Sequence, residues 1–96
     1  MTHRIEKTLR AETDAIEIWL YIAGDNPTAA SDLIYDIERR LRSLAAMPES
    51  AEAVPEFGRN IRRSSVGNYV IYYRPIADGI QVIRILHGNR QPEDLV

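Results

Sequence analysis

The 96-residue chain contains no cysteine, so disulfide scaffolds, thiolate metal centres and cysteine nucleophiles are excluded and stability has to come from packing. It also lacks any run of eighteen apolar residues, which excludes a hydrophobic membrane-spanning helix. The opening segment, Met1-Thr2-His3-Arg4-Ile5-Glu6-Lys7, has no apolar core of the kind a secretory signal requires, and a cytoplasmic location is expected. No repeat, low-complexity tract or Pro/Gly/Ser-rich linker interrupts the sequence, so solenoids and extended disorder are set aside. A chain this short cannot divide its apolar residues between two cores, and one domain over residues 1–96 is expected. Histidine is scarce as well: His3 and His87 lie far apart, so neither a metal site nor a cofactor is implied.

The net charge is −2, yet it is unevenly spread. From Phe57 to Arg90 there are six arginines, Arg59, Arg62, Arg63, Arg74, Arg84 and Arg90, against the single acid Asp78, a local excess of five positive charges. Eleven of the twelve cations in the chain are arginine, whose planar fork suits bidentate contact with carboxylates and phosphates. This last third is expected to face an anionic partner.

Periodicity supplies the elements. Residues Arg4 to Thr8 alternate as a short strand. From Ala11, the positions Ala15, Ile16, Trp19, Ile22 and Ala23 predict the buried stripe of a helix, with Glu12, Asp14 and Glu17 facing away and Gly24 as a left-handed stop. Asn26-Pro27 is a helix-start signal, a capping side chain followed by a residue preset for the first turn. The helix it opens carries Ala30, Leu33, Ile34, Ile37, Leu41, Leu44 and Ala45 at helical spacing and runs to about Ala46. After a polar connector from Glu49 to Phe57 come strands at Ile61–Val66, Tyr69–Arg74 and Ile80–Leu86, separated by turns at Gly67-Asn68 and Asp78-Gly79. The order β-α-α-β-β-β predicts a two-layer α+β fold, an N-terminal αα-hairpin packed on a mainly antiparallel sheet.

Several stretches together resemble the ParE branch of the ParE/RelE toxin superfamily. Ile18-Trp19-Leu20-Tyr21-Ile22-Ala23 with Asp25-Asn26-Pro27 is similar to the family's first helix and connection, and Ile37 to Pro48 resembles its second helix. Val66 to Pro75 looks like the central hairpin, and Val82-Ile83-Arg84-Ile85-Leu86-His87-Gly88-Asn89-Arg90 is similar to the last strand, where R-x-x-H-G-x-R is usual. The resemblance implies the toxin of a type II toxin–antitoxin system, neutralised by a cognate ParD-like ribbon-helix-helix antitoxin in a hetero-oligomer. ParE-type members are associated with poisoning DNA gyrase, and RelE-type members with cutting mRNA on the ribosome; a degenerate member that binds an antitoxin but harms nothing is the third reading.

The site residues separate these targets only in part. Strand-borne cleavage of RNA needs an acid, a base and cations, for which His87, Arg84 and Arg62 are the candidates. RelE-type nucleases, however, usually place an arginine where this chain has Val70, and they end in tyrosine or lysines where this chain ends Glu93-Asp94-Leu95-Val96. No catalytic residue is therefore expected under the gyrase reading, and Arg63, Arg74, Arg84, His87 and Arg90 are the candidates for target binding. Trp19, Ile22, Leu33, Ile37 and Tyr72 are the candidates for antitoxin binding, on an apolar strip that the helices leave uncovered. Each has a plainer alternative. Trp19 at helical spacing suits a core position, His87 alone suits a strand end, and Arg84, which should share a face with Val82 and Leu86, suits either a groove edge or an ion pair. Arg62 and Arg63 must point to opposite faces of their strand.

Overall fold

The computed structural model describes residues 3–90 and residue 95. It opens with strand β1 (Arg4–Lys7), followed at once by helix α1 (Leu9–Ala23). Thr8 joins them: its N–H donates to Val82 O at 3.0 Å, and its hydroxyl donates to Ile83 O at 2.8 Å and accepts from Ala11 N–H at 3.1 Å. The last contact satisfies one of the amides left free at a helix start, so α1 begins at Leu9, earlier than periodicity indicated.

The expected left-handed stop is not what ends α1, because Gly24 is right-handed at φ −58°. The chain leaves the helix instead through Asp25 and Asn26, both of which donate to Ile22 O, at 3.0 and 2.8 Å. Asn26 is extended at φ −152° and caps the second helix, α2 (Pro27–Ala46), by accepting from Ala29 N–H at 3.1 Å. With so short a connection the two helices form a hairpin.

α2 buries the stripe read from its sequence: Ala30, Ile37, Leu41, Leu44 and Ala45 are buried, and Leu33 and Ile34 half-buried. The expectation for α1 has to be corrected. Ala11, Asp14 and Ile18 face inward, while Ile16 and Trp19 are exposed and Ala15, Ile22 and Ala23 lie at the margins. Asp14 was expected to point to solvent, and its burial has an electrostatic cause described below.

Five strands make one sheet in the order β1-β5-β4-β3-β2, where β2 is Glu52–Ala53, β3 Arg62–Val66, β4 Tyr69–Ile76 and β5 Gly79–His87. β1 runs parallel to β5 and the other pairs are antiparallel. β2 falls inside the expected connector; two residues are too few to carry an alternation signal. Gly67, at φ 57°, opens the tight turn between β3 and β4. Gly79 serves the sheet more than a turn: a Cβ there would stand 1.8 Å from Arg4 O, so only glycine admits β1 alongside β5.

Both sheet faces are packed. Ile71, Tyr73, Ile80, Val82 and Ile85 meet Ile18, Ile37, Leu41 and Leu44 of the helices. On the other face Tyr72, Ile83 and Leu86 form a smaller cluster with Val54, Ile61 and Leu95. Adjacent Tyr72 and Tyr73 are thus both buried, one on each face. The architecture is the two-layer α+β arrangement read from the sequence, extended by β2. Among the described residues no helix is long and apolar enough to cross a membrane.

Candidate functional site

The outer edge of β5 changes partners halfway along. From Gly79 to Val82 it pairs with β1, which stops at Lys7. Beyond that point backbone groups need other partners, and side chains at the start of α1 supply them: Thr8 takes Ile83 O, and the Asp14 carboxylate accepts Ile85 N–H at 3.0 Å. A bulge between Tyr72 and Tyr73, opposite which β5 holds an extra residue, resets the alternation. Val82 and Ile85 face the helices and Ile83 and Leu86 the other side, so Arg84 falls outside the alternation. The expectation that Arg84 shares a face with Val82 and Leu86 is corrected accordingly.

Arg84 instead grips Asp14, Nε to Oδ2 at 2.7 Å and Nη2 to Oδ1 at 2.9 Å, with both side chains almost wholly buried. The two open readings of this arginine resolve to the ion pair. A fork-to-fork pair that also binds a backbone amide satisfies the carboxylate well enough to hold a charge inside the protein. Asp14 is thereby the residue that fixes the free half of β5 to α1.

Above this pair lies a cleft of about 720 Å³ between the second half of α1 and the end of the β4–β5 hairpin. Glu17, Ile18, Tyr21 and Ile22 form its helical wall, and Asn68, Tyr69, His87, Asn89 and Arg90 its opposite wall and rim. The rim is tied down by backbone bonds: Gly88 N–H donates to Asn68 O at 2.7 Å, and Arg90 N–H to His87 O at 2.9 Å. The His87 ring meets Tyr69 edge-on at 5.3 Å between centroids. Its Nδ1 lies 2.7 Å from Asn89 Oδ1 and 3.3 Å from the Asn89 backbone nitrogen, so the ring is held against the turn that follows β5.

The residues singled out from sequence fall into separate places. His87 and Arg90 stand together at the cleft, with Arg84 beneath them. Arg63 lies on β3 and pairs with Glu52, Nε to Oε1 at 2.9 Å, a contact that raises its pKa. Arg74 is exposed on β4, opposite Gln81 of β5. Arg62, on the helix-side face, donates to Ala51 O at 2.6 Å and Glu49 O at 3.2 Å and so anchors the connector after α2. The arginines of the last third therefore do not converge on one patch. Ile22 lines the cleft and Leu33 sits beside the Gly67 turn, while Trp19 is exposed on α1. Ile37 and Tyr72 are buried, Tyr72 edge-on to Phe57 at 6.1 Å, and no partner could touch them without unpacking the core. The acidic residues Glu93 and Asp94 lie outside the described residues. Sequence reasoning missed Asp14, Glu17, Tyr69 and Asn89; for Asp14 the available signal was an acid within an apolar helix and an arginine within an apolar strand. Among the described residues no cluster of His, Cys, Asp or Glu could hold a metal ion.

A hairpin of helices over a sheet, with a walled cleft where the last strand outruns its neighbour, defines a small two-layer α+β module with a candidate binding cleft. The chain belongs to the family of ParE toxins of the type II toxin–antitoxin system parDE, whose model matches residues 5–92. Its fold is also similar to that of a solved structure described as the chromosomal ParDE TA system from P. aeruginosa, with a TM-score of 0.72 and 19% identity over 90% of this chain and 96% of that one. No curated protein sequence matches the chain.

Proposed function

We propose that the chain is a cytoplasmic toxin that inhibits DNA gyrase by binding, and that a cognate ParD-like antitoxin neutralises it by covering the same cleft. The observation that carries this reading is the cleft itself: an apolar wall, Ile18 and Ile22, faces a rim bearing His87 and Arg90. Apolar surface beside a few convergent polar groups is what a binding site offers. An amphipathic antitoxin segment laid over Ile22 and the neighbouring Leu33 would screen His87 and Arg90 from the target. Ile37 and Tyr72 have no part in this contact, and Arg63 and Arg74 lie away from the cleft.

Purified chain added to gyrase is expected to reduce supercoiling, and His87→Ala with Arg90→Ala to relieve the inhibition. Unaltered supercoiling at a stoichiometric excess of toxin would overturn the assignment. Addition of the antitoxin is expected to restore gyrase activity.

A second reading, ribosome-dependent mRNA cleavage, is favoured by one observation, the placing of His87, Arg90 and Tyr69 in one cleft. It is weakened by the commitments of Arg84 and Arg62 to structural bonds and by Val70 where nucleases of the superfamily usually carry arginine. Cleavage mapped to the ribosomal A site and abolished by His87→Ala would favour this reading over gyrase inhibition.

A further inference from the structure

The floor of the cleft is an unfinished strand edge. Gly88 N–H donates to Asn68 O on the β4 side at 2.7 Å, so by alternation the backbone groups of His87 and Ile85 point the other way, towards the edge that β1 leaves open beyond Val82. Two of these groups are already engaged: Asp14 takes Ile85 N–H at 3.0 Å, and His87 O accepts Arg90 N–H at 2.9 Å. Two remain, Ile85 C=O and His87 N–H, and neither has a hydrogen-bond partner among the described residues. Leu86, between them, lines the cleft although its side chain packs on the far face of the sheet. What the cleft exposes there is therefore backbone.

We propose that an extended segment of the antitoxin adds to this edge as a parallel strand, in line with β1; the proposal rests on the reading that an antitoxin covers the cleft. A partner that excludes water from the cleft must pair both free groups, because a buried N–H or C=O left alone costs as much as a lost hydrogen bond. A helix cannot do so, since its own backbone groups are spent internally. Direction follows from which groups are free. Antiparallel addition joins the N–H and the C=O of one residue to a single opposite residue, and here Ile85 has given its N–H to Asp14 and His87 its C=O to Arg90. Parallel addition uses the C=O of one residue and the N–H of the residue two further on, which is the pair that Ile85 and His87 leave. The same edge already takes β1 in parallel. Charge defines the segment further: Arg90 is exposed at the rim with no ion pair among the described residues, so a carboxylate belongs beside it, and Glu17 on the facing wall keeps that carboxylate to the hairpin side. An apolar side chain fits against Ile18 and Ile22.

The test is amide hydrogen exchange, read residue by residue by NMR on the complete chain, free and in complex with its cognate antitoxin. In the free chain the His87 amide should exchange quickly while its neighbour Gly88, bonded to Asn68 O, exchanges slowly. In the complex His87 should slow by about tenfold or more. A substitution pair isolates the same group. His87→Ala removes the imidazole and keeps the N–H; His87→Pro removes both, and proline is accepted where an edge N–H faces solvent. The proline variant should bind the antitoxin about tenfold more weakly than the alanine variant, with matching melting temperatures of the free chains showing that the sheet survives. If the proline variant does not fold, the exchange measurement on the unaltered chain decides. A His87 amide protected in the free chain, one left open in the complex, or equal affinities of two folded variants would overturn the proposal. Arg90→Glu separates this failure from that of the cleft reading. A complex weakened by Arg90→Glu with the His87 amide still open would keep the antitoxin in the cleft and overturn the strand alone, whereas a complex indifferent to Arg90→Glu with that amide open would remove both. Supercoiling is not read in any arm, so the gyrase assignment stands or falls separately.

Discussion

α1 and α2 lie side by side on one sheet, yet they use their surfaces in opposite ways. α2 is amphipathic in the ordinary sense, with Ile37, Leu41 and Leu44 inside and Asp36, Arg39 and Arg42 outside. α1 is apolar on its outer face and holds a charge on its inner one: Leu9, Ile16 and Leu20 meet solvent, whereas Asp14 is buried. A helix that reverses the usual allocation does so because something beyond its own packing fixes it. Inside, that is Arg84 and the amide of Ile85. α2 fills the main core, and α1 ties the free half of β5 to the helices through Asp14.

The sharpest way to break this contrast is to remove the buried charge. Asp14→Ala leaves the Arg84 guanidinium without its carboxylate and should cost about 3–5 kcal/mol of unfolding free energy, measured by denaturant titration. It should also release the edge of β5 and with it the His87–Arg90 rim, so toxicity falls alongside stability. Replacing both partners, Asp14→Leu with Arg84→Met, should recover most of the loss, because apolar substitutes of similar volume avoid the stranded charge. A double variant no more stable than Asp14→Ala would show that the pair is not the source of the effect.

A smaller effect distinguishes the two faces of α1 directly. Ile18→Ala opens a cavity in the main core and should cost about 2–4 kcal/mol, whereas Ile16→Ala, two residues away, should stay within about 0.5 kcal/mol. Equal losses in thermal or chemical unfolding would mean that the outer row is packed in solution within a single chain.

The same contrast explains what could be read from the residues alone. On α2 one face is apolar and the other charged, so a 3.6-residue period has a single solution and every assigned position is buried or half-buried. On α1 apolar residues occur all round, from Leu9 and Ala11 to Ile22, and several phases fit equally well; the phase through Ile16 and Trp19 faces solvent. The tie is broken by Arg84, seventy residues later in sequence, which local periodicity cannot include. The strands were legible from their β-branched and aromatic content and from Gly67, but β2 was too short and the bulge at Tyr72 and Tyr73 leaves no compositional trace. At the site, His87 and Arg90 stand out as residue types in the last strand and its turn. Glu17 and Tyr69 join them only through the packing of α1 against β5.

The junction of the helices offers a milder perturbation. Asn26→Ala removes the oxygen that accepts Ala29 N–H at 3.1 Å and should cost about 1 kcal/mol. Asn26→Asp should preserve most of the stability, since a carboxylate caps an N-terminus equally well. If alanine and aspartate lower the midpoint of unfolding alike, the cap is not what starts α2.

The smallest expected effect is found where α2 leaves the sheet, and it is distinguished by its pH dependence. Tyr73 is buried, its hydroxyl donates to Pro48 O at 2.7 Å just beyond the end of α2, and burial raises its pKa above the ordinary 10.0, with nearby Arg62 opposing the shift only in part. A phenol whose pKa is higher folded than unfolded binds its proton more tightly in the native state, so the associated stability is complete below pH 10 and declines as pH rises through that region. Tyr73→Phe removes the hydrogen bond and should cost about 1 kcal/mol near neutral pH. At strongly alkaline pH the two proteins should converge or cross, because phenylalanine has no proton to lose. Unfolding curves of both proteins at neutral and alkaline pH test this: a constant gap would show that Tyr73 does not titrate differently in the two states. The contrast with Asp14 then has a physical basis, since a neutral anchor at the exit of α2 weakens with alkali, whereas the charged anchor on α1 depends on its partner arginine.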